Sequence, residues 1–332
     1  MDSGHLRVPF VFWLHDSRMS FDFTAVQSPF RMQPGLRKLA AGAAQLTPNR
    51  IGDRALREKL AVLFSHSSQA LLSAPHFDAT PALRALCAHA AAEHPAAFSV
   101  YESGRVHAHH LGWSLQGHEL RQHPRAAPEI GACLGALPPS WRLAGLLSLA
   151  FAEDFAVIDG STAHIPWMAV CLPSHWAPET KVGRHFAEVH APVADNHMFI
   201  TASAHLARLV TGADRWERYV WTITRHPRLH AHPAHLDSAP WPSDSDADAA
   251  QIASLSYFRT ERQTFIPAPE LRLAMFTIHV DVKPLIKALA NPAQAQQLHD
   301  AVASMSPAVL AYRGLTTVRN RLLAWLTTQA AL

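Results

Sequence analysis

The stretch VCLPSHWAPETKVGRHFAEVHAPV, residues 170–193, decides how the middle of this chain folds. An apolar strand enters it, and Pro173 and Pro178 follow. Proline removes a donor from a β-ladder and pushes the residue before it out of the helical region. The strand must therefore stop at Pro173, and the next helix can begin only near Pro178. We interpret the stretch, which continues as a helix over 181–189 and ends in His190 and a Pro-marked turn, as one wall of a ligand pocket.

The segments on both sides of this stretch predict an antiparallel sheet. Before it, two β-rich runs flank Asp159-Gly160, a strong hairpin signal. After it come a helical pattern over 196–211 and then strand patterns over 215–224, 255–266 and 271–282. The order strand, strand, helix, helix, strand, strand, strand resembles a PAS-type fold. We therefore predict an α+β protein with a PAS-like antiparallel sheet, whose helices cover one face and enclose a small molecule or a haem.

The rest of the chain forms additions to this core. We predict N-terminal helices and a hairpin packed on the core over 1–137, the PAS-like core over 138–283, and C-terminal helices over 284–332. The expected additions, in chain order, are an extended arm over 19–46, helices over 48–72 and 80–92, a hairpin over 97–114, and helices over 284–305 and 307–331.

Composition excludes several classes of partner. The 332 residues are 48% hydrophobic and only 17% charged, with a formal net charge of +3. The 29 basic and 26 acidic residues are spread along the chain, so no polybasic block points to nucleic acid or to an anionic membrane. The segment over 1–17 lacks the features of a signal peptide, and no apolar run reaches membrane-spanning length. We predict a cytoplasmic protein.

The positions of the cysteines and histidines limit which metal sites this chain could form. The three cysteines are far apart and form no CxxC pair, so an electron-transfer cluster is expected in a partner. Histidine is abundant, with 23 residues. His107 and His109 would share a strand face, and His230, His232 and His235 lie in a Pro-rich loop. Nothing fixes their geometry, so the pattern favours surface histidines and a solvated loop over metal sites.

Four blocks of sequence resemble the haem-dependent oxidative N-demethylase family. They are SPFRMQPGL (28–36), AEDFAVID (152–159), CLPSHWAPETKVGRHFAEVHAPV (171–193) and YFRTERQTF (257–265). The resemblance implies a haem b that activates O2 and oxidises an N-methyl group of a small methylated amine to formaldehyde. It also implies that a separate flavin and iron–sulfur reductase subunit supplies the electrons.

The resemblance assigns His190 as the iron ligand; the alternative is a core histidine that holds the Pro-marked turn. Along the strand of the last block, Arg259 and Glu261 share one face and Arg262 belongs to the other. Either arginine suits a haem propionate, because guanidinium binds carboxylates bidentately, but an ion pair with Glu261 explains them equally well. Glu261 is also a candidate catalytic residue that holds a protonated amine.

Further cofactor contacts are expected close to His190. Lys181 and Arg184 can reach a propionate, although solvated positions are the commoner fate of such side chains. Apolar haem contacts are expected from Trp167, Met168, Trp176 and Phe186, for which ordinary core packing is the competing interpretation.

The last strand departs from the family pattern. It contains FTIHVD (276–281) where the pattern has FTIRTY, which makes His279 a candidate catalytic residue, as a second iron ligand or a hydrogen-bond donor. Two functions stay open: an oxygenase subunit that demethylates an amine, and a haem-binding PAS-type sensor without turnover. A non-haem metal protein is a third, weaker possibility.

Overall fold

The computed structural model describes residues 21–236, 240–243 and 247–332. The predicted features over 1–17 lie outside these residues. Helices and antiparallel sheets mix within the chain, which confirms the α+β class. The PAS-like description of the sheet and the three-part division of the chain stay predictions.

The elements follow one another in the predicted order. The strands are β1 (Arg37–Lys38), β2 (Leu71–Ser73), β3 (Phe98–Val100), β4 (Val106–Ala108), β5 (Trp113–Gln116), β6 (Glu119–Gln122), β7 (Asp154–Asp159), β8 (Trp167–Ala169), β9 (Trp216–Thr224), β10 (Tyr257–Ala268) and β11 (Leu273–Pro284). The helices are α1 (Arg54–Ala70), α2 (Thr80–Glu93), α3 (Pro128–Ala136), α4 (Arg142–Ala150), α5 (Phe186–His190), α6 (His197–Val210), α7 (Ala249–Ser254), α8 (Leu285–Ala288), α9 (Pro292–Ala303), α10 (Pro307–Tyr312) and α11 (Arg319–Ala330).

The main sheet has the strand order β1-β9-β10-β11-β7-β8-β2, and its strand pairs are antiparallel. The long strands β9, β10 and β11 form its centre, where Glu261 lies opposite Val220 on one side and Val280 on the other. Strands β3 to β6 form a second sheet, which includes the hairpin predicted over 97–114. The alternation of the three central strands therefore fixes which side chains share a face of the main sheet.

Helices lie over both faces of the main sheet. Ala207 and Val210 of α6 pack with Ala156 of β7 on one face. The N-terminal helices pack on the opposite face, where Leu86 of α2 joins the same core as Phe155 of β7. The C-terminal helices α7 to α11 pack around the ends of β9 and β10. A space between α5, α6 and the first of these faces contains the candidate site.

The hairpin of β7 and β8 forms, but its loop is longer than a two-residue turn. Phe155 pairs with Ala169, so the loop runs over 160–166. Gly160 is required there for close approach, because a Cβ on it would lie 2.0 Å from the Thr211 hydroxyl oxygen at the end of α6.

The predicted boundaries of two elements in the stretch over 170–193 and just before it were wrong. Strand β8 ends at Ala169, before Pro173. The helix expected over 181–189 is only α5, because Gly183 adopts a φ of 74° and the His185 side chain caps the helix at the Ala187 N–H.

Each predicted C-terminal helix is two helices. Asn291 caps α9 with Pro292 in its first turn, and this separates α9 from α8. Gly314, with a φ of 65°, separates α10 from α11. Among the described residues, no helix combines the length and the apolar character needed to cross a bilayer.

Candidate functional site

A cavity of about 600 Å³ lies between the main sheet and its helical cover. The floor consists of side chains from β7 to β11, and the cover consists of α5, the start of α6 and the end of α10. Such a volume is typical of sites for cofactors and small molecules. Its apolar lining includes Ile158, Met168, Trp176, Phe186, Phe199, Phe265, Phe276 and Ile278.

His190 lines this cavity from the last position of α5. Its Nδ1 lies 2.8 Å from the carbonyl oxygen of Phe186. Since a carbonyl oxygen only accepts, Nδ1 must carry the hydrogen, and the neutral ring keeps a lone pair on Nε2. No partner for Nε2 occurs within the part of the chain that the structure describes. The tautomer is therefore the one in which Nε2 can bind a metal.

Packing fixes the orientation of the His190 ring. It stacks on the Phe199 ring at a centroid distance of 4.8 Å and an interplanar angle of 4°. The Phe186 ring lies at a centroid distance of 4.2 Å and is tilted by 38°. Burial lowers the pKa of His190 to about 4, and the nearby Arg218 and Lys181 cations act in the same direction. The ring is therefore neutral at pH 7, which is the form that ligates metals.

Glu261 lies on the floor of the cavity and is 7% exposed. The Ser174 hydroxyl donates to its Oε1, and the Gln263 amide donates to its Oε2. Each carboxylate oxygen keeps a further acceptor position, because these two donors use only part of its capacity. Glu261 is therefore positioned to accept a hydrogen bond from a ligand in the cavity.

Arg259 lines the cavity, but its guanidinium is committed to the protein. It is 1% exposed, and its Nε donates to the Ser174 hydroxyl at 2.7 Å. Its terminal nitrogens donate to backbone carbonyl oxygens, those of Leu172, Pro173, Arg228 and Leu229. A guanidinium has five N–H donors, so at most one is left for a ligand. Arg259 therefore acts mainly as a structural tie, and it forms no ion pair with Glu261 or any other described carboxylate.

Two predicted site residues lie on the opposite face of the sheet. Arg262 donates from Nε to Glu217 at 2.9 Å and from a terminal nitrogen to the Ala44 carbonyl. His279 pairs with Arg262 across the strands and lies 2.9 Å from Glu153. Strand alternation therefore directs the side chains of both Arg262 and His279 away from the cavity.

Some of the remaining predicted cofactor contacts line the cavity and others do not. Lys181 lines the cavity and donates to the Val189 carbonyl oxygen at 2.8 Å. Arg184 is exposed, does not line the cavity and lies 3.8 Å from Glu188. Of the apolar candidates, Met168, Trp176 and Phe186 line the cavity, whereas Trp167 stacks on Trp141 away from it.

Sequence reasoning missed three cavity arginines, Arg218, Arg225 and Arg313. Arg218 of β9 and Arg313, which follows α10, both line the cavity, and the Nε of each is buried without a hydrogen-bond partner among the described residues. Burial lowers the pKa of each to about 10, so both stay charged at pH 7. Arg218 could have been found from the alternation of its strand, which places it on the face that carries Val220.

The histidine-rich segments are packed, not solvated. The His107 ring lies 4.1 Å from His109, and the His66 ring lies 3.8 Å from His235. His232 is 3% exposed and bonds Glu179. Across the described ranges, no three of His, Cys, Asp and Glu are arranged to hold a metal ion.

The fold and the site define an α+β protein with a largely apolar interior cavity, which a fixed imidazole and several cations line. Residues 53–323, most of the chain, match the family model described as haem-dependent oxidative N-demethylase, alpha subunit-like. The chain belongs to this family. Its description identifies a haem-dependent oxidative enzyme that works as one subunit with a partner.

Proposed function

We propose that this chain binds haem b in the cavity and oxidatively N-demethylates a small methylated amine, with the His190 Nε2 as the iron ligand. The observation that carries the proposal is the His190 tautomer, which the Phe186 carbonyl fixes with Nε2 unpartnered toward the cavity. A neutral imidazole with an orienting acceptor on its other nitrogen is the usual form of a protein ligand to haem iron.

The chemistry of the lining supports haem. Phe186, Phe199 and Phe276 offer aromatic surface to a flat macrocycle. Lys181 and Arg313 line the same cavity without a carboxylate partner among the described residues, and they suit the propionates. The residues present therefore fit the group that the family description implies.

Haem supplies oxygen activation when bound, and the protein supplies the binding and the orientation of the amine. One O2, two electrons, two protons and the N-methylamine give the demethylated amine, formaldehyde and water. Glu261 is the proposed contact for the protonated amine, since its carboxylate faces the cavity and keeps acceptor capacity.

The electrons are proposed to come from a flavin and iron–sulfur reductase partner. Cys87, Cys133 and Cys171 are buried and unpaired, and burial raises the pKa of each thiol. Such thiols pack as small apolar groups rather than as cluster ligands. This agrees with an alpha subunit that receives electrons from another chain.

The test begins with the haem-loaded protein and its absorption spectrum. His190→Ala is expected to keep its fold and to lose or shift the Soret band, while His205→Ala, an exposed position on α6, leaves the spectrum unchanged. A panel of methylamines with O2 and a competent reductase is then assayed for formaldehyde. A wild-type protein without a Soret band after haem supplementation contradicts haem binding.

Formaldehyde is the readout that separates catalysis from sensing. The proposal predicts formaldehyde in proportion to O2 consumed with at least one amine of the panel. Haem binding with no formaldehyde from any amine, in the presence of active reductase, would instead support a PAS-type sensor.

A further inference from the structure

The charges that face the cavity do not suit a simple cationic amine. The cationic side chains among its lining residues are Lys181, Arg218, Arg225, Arg259 and Arg313. Glu261 is the one carboxylate among the described lining residues. With Arg225 left out of the balance, four cations face Glu261 and the two propionates of a bound haem, so an excess of one positive charge remains. An alkylammonium ion alone is repelled by such an interior, because charges interact strongly where water is excluded.

Among the described residues, Arg218 is the cavity cation that has no hydrogen-bond acceptor. Its guanidinium donates no hydrogen bond to a described residue, and its Nε is buried. The guanidinium makes a cation–π contact with the ring of Phe199, whose centroid lies 5.3 Å from the Arg218 Cζ. Leaving a buried charged donor without an acceptor is costly, so a ligand with an anionic oxygen is the natural complement.

Arg218 is also a neighbour of Glu261 on the floor of the sheet. Arg218 pairs with Gln263, and Val220 pairs with Glu261, so Arg218 and Glu261 occupy diagonal positions on one face. Diagonal Cβ atoms in an antiparallel pair lie about 7 Å apart, which is within reach of long side chains. The Glu261 charge also acts on the pKa of Arg218. A cation and a carboxylate therefore face one small volume from adjacent strands.

We propose that the substrate is an N-methylated amino acid, whose carboxylate binds Arg218 while its protonated N-methyl nitrogen binds Glu261. This deepens the proposed function and rests on it. The carboxylate and the amine nitrogen of an α-amino acid are two bonds from each other, which matches a site whose opposite charges are diagonal neighbours. Arg218 is then a specificity-determining residue and Glu261 a positioning contact.

The competing role for Arg218 is a bond to a haem propionate. Lys181 and Arg313 are two further cavity cations without a described carboxylate partner, so the propionates do not require Arg218. The two roles differ in what Arg218→Gln removes. A propionate anchor affects haem affinity, whereas a substrate anchor affects only ligands that contain a carboxylate.

The test measures binding to the haem-loaded protein by calorimetry with three matched ligands. N-methylglycine is dimethylamine with a carboxylate added, and N-methylglycinamide has the same size without the negative charge. We expect N-methylglycine to bind at least about tenfold more tightly than either analogue, as for a charged hydrogen bond. In Arg218→Gln the preference should fall to near unity. Arg218→Lys should keep part of the preference for N-methylglycine. Arg84→Gln, at an exposed position of α2, should keep all of it.

Two results would overturn the proposal. One is equal or tighter binding of dimethylamine by the wild-type protein. The other is loss of haem from a folded Arg218→Gln protein, which would assign Arg218 to a propionate. If N-methylglycine binds preferentially but yields no formaldehyde, the ligand class stands and the demethylase function alone fails. If a simple amine yields formaldehyde while N-methylglycine does not bind, the function stands and this inference fails.

Discussion

Replacing Arg259 separates its structural role from the cofactor role that its sequence position suggested. Arg259→Met removes donors from buried carbonyl oxygens on the chain before β9 and on the loop after it. The Pro173 oxygen keeps a second donor, the Ala231 N–H. Among the described residues, the oxygens left without a donor are those of Leu172, Arg228 and Leu229.

The expected cost follows from those three acceptors. A buried acceptor left without a donor costs about 1–3 kcal/mol, so Arg259→Met should lower the free energy of unfolding by roughly 3–5 kcal/mol. Denaturant unfolding of the haem-free protein measures this directly, with exposed Arg84→Met as the control expected within about 0.5 kcal/mol of wild type. A haem-free Arg259→Met protein of wild-type stability that binds haem poorly would refute the structural role and restore the propionate role.

Three further predictions test other parts of the structure. Lys59→Met breaks a buried pair, 3.1 Å from Nζ to the Asp154 carboxylate, and should cost about 3–5 kcal/mol in denaturant unfolding. Because burial lowers the pKa of His190 from 6.5 to about 4, the unfolded chain binds a proton that the folded chain does not as pH falls through that window. His190 alone should therefore account for up to roughly 3 kcal/mol of the stability that the haem-free protein loses between pH 6.5 and 4, and His190→Phe should lose correspondingly less. His279→Ala should lower stability by about 1–3 kcal/mol by removing the partner of Glu153, yet leave the Soret band and the formaldehyde yield unchanged.

The antiparallel sheet could be predicted because side chains alternate between the two faces along each of its strands. Alternation along β10 placed Arg259, Glu261 and Gln263 on one face, and the structure confirms it by lining the cavity with all three. Alternation alone does not tell which face is inside. That choice depends on helices far away in the chain, so the sequence could not show that Arg262 and His279 bind Glu217 and Glu153 on the face opposite the cavity.

The boundaries around α5 depended on single residues. Gly183 and the His185 cap shorten the helix and leave Lys181 and Arg184 in a turn. A glycine within a predicted helix weakens that prediction, and Gly183 was visible in the sequence. Single residues also set boundaries in the C-terminal helices, where Asn291 caps α9 and Gly314 separates α10 from α11.

The cations of the cavity could not be ranked from the sequence. Arg218 and Arg259 both occupy strands and both face the ligand space. Only the packed loop over 226–236 reveals that Arg259 is committed largely to backbone carbonyls, while Arg218 has no acceptor among the described residues. The partners of a buried guanidinium come from distant segments, so tertiary structure decides its role.

The central claim is that His190 holds the iron, and ligand rescue tests it most directly. His190→Gly protein is loaded with haem, and its spectrum is recorded before and after addition of imidazole, with His205→Gly as the matched control on α6. We predict a changed Soret band that imidazole returns to the wild-type position. A His190→Gly protein with an unchanged spectrum and no response to imidazole would contradict the claim.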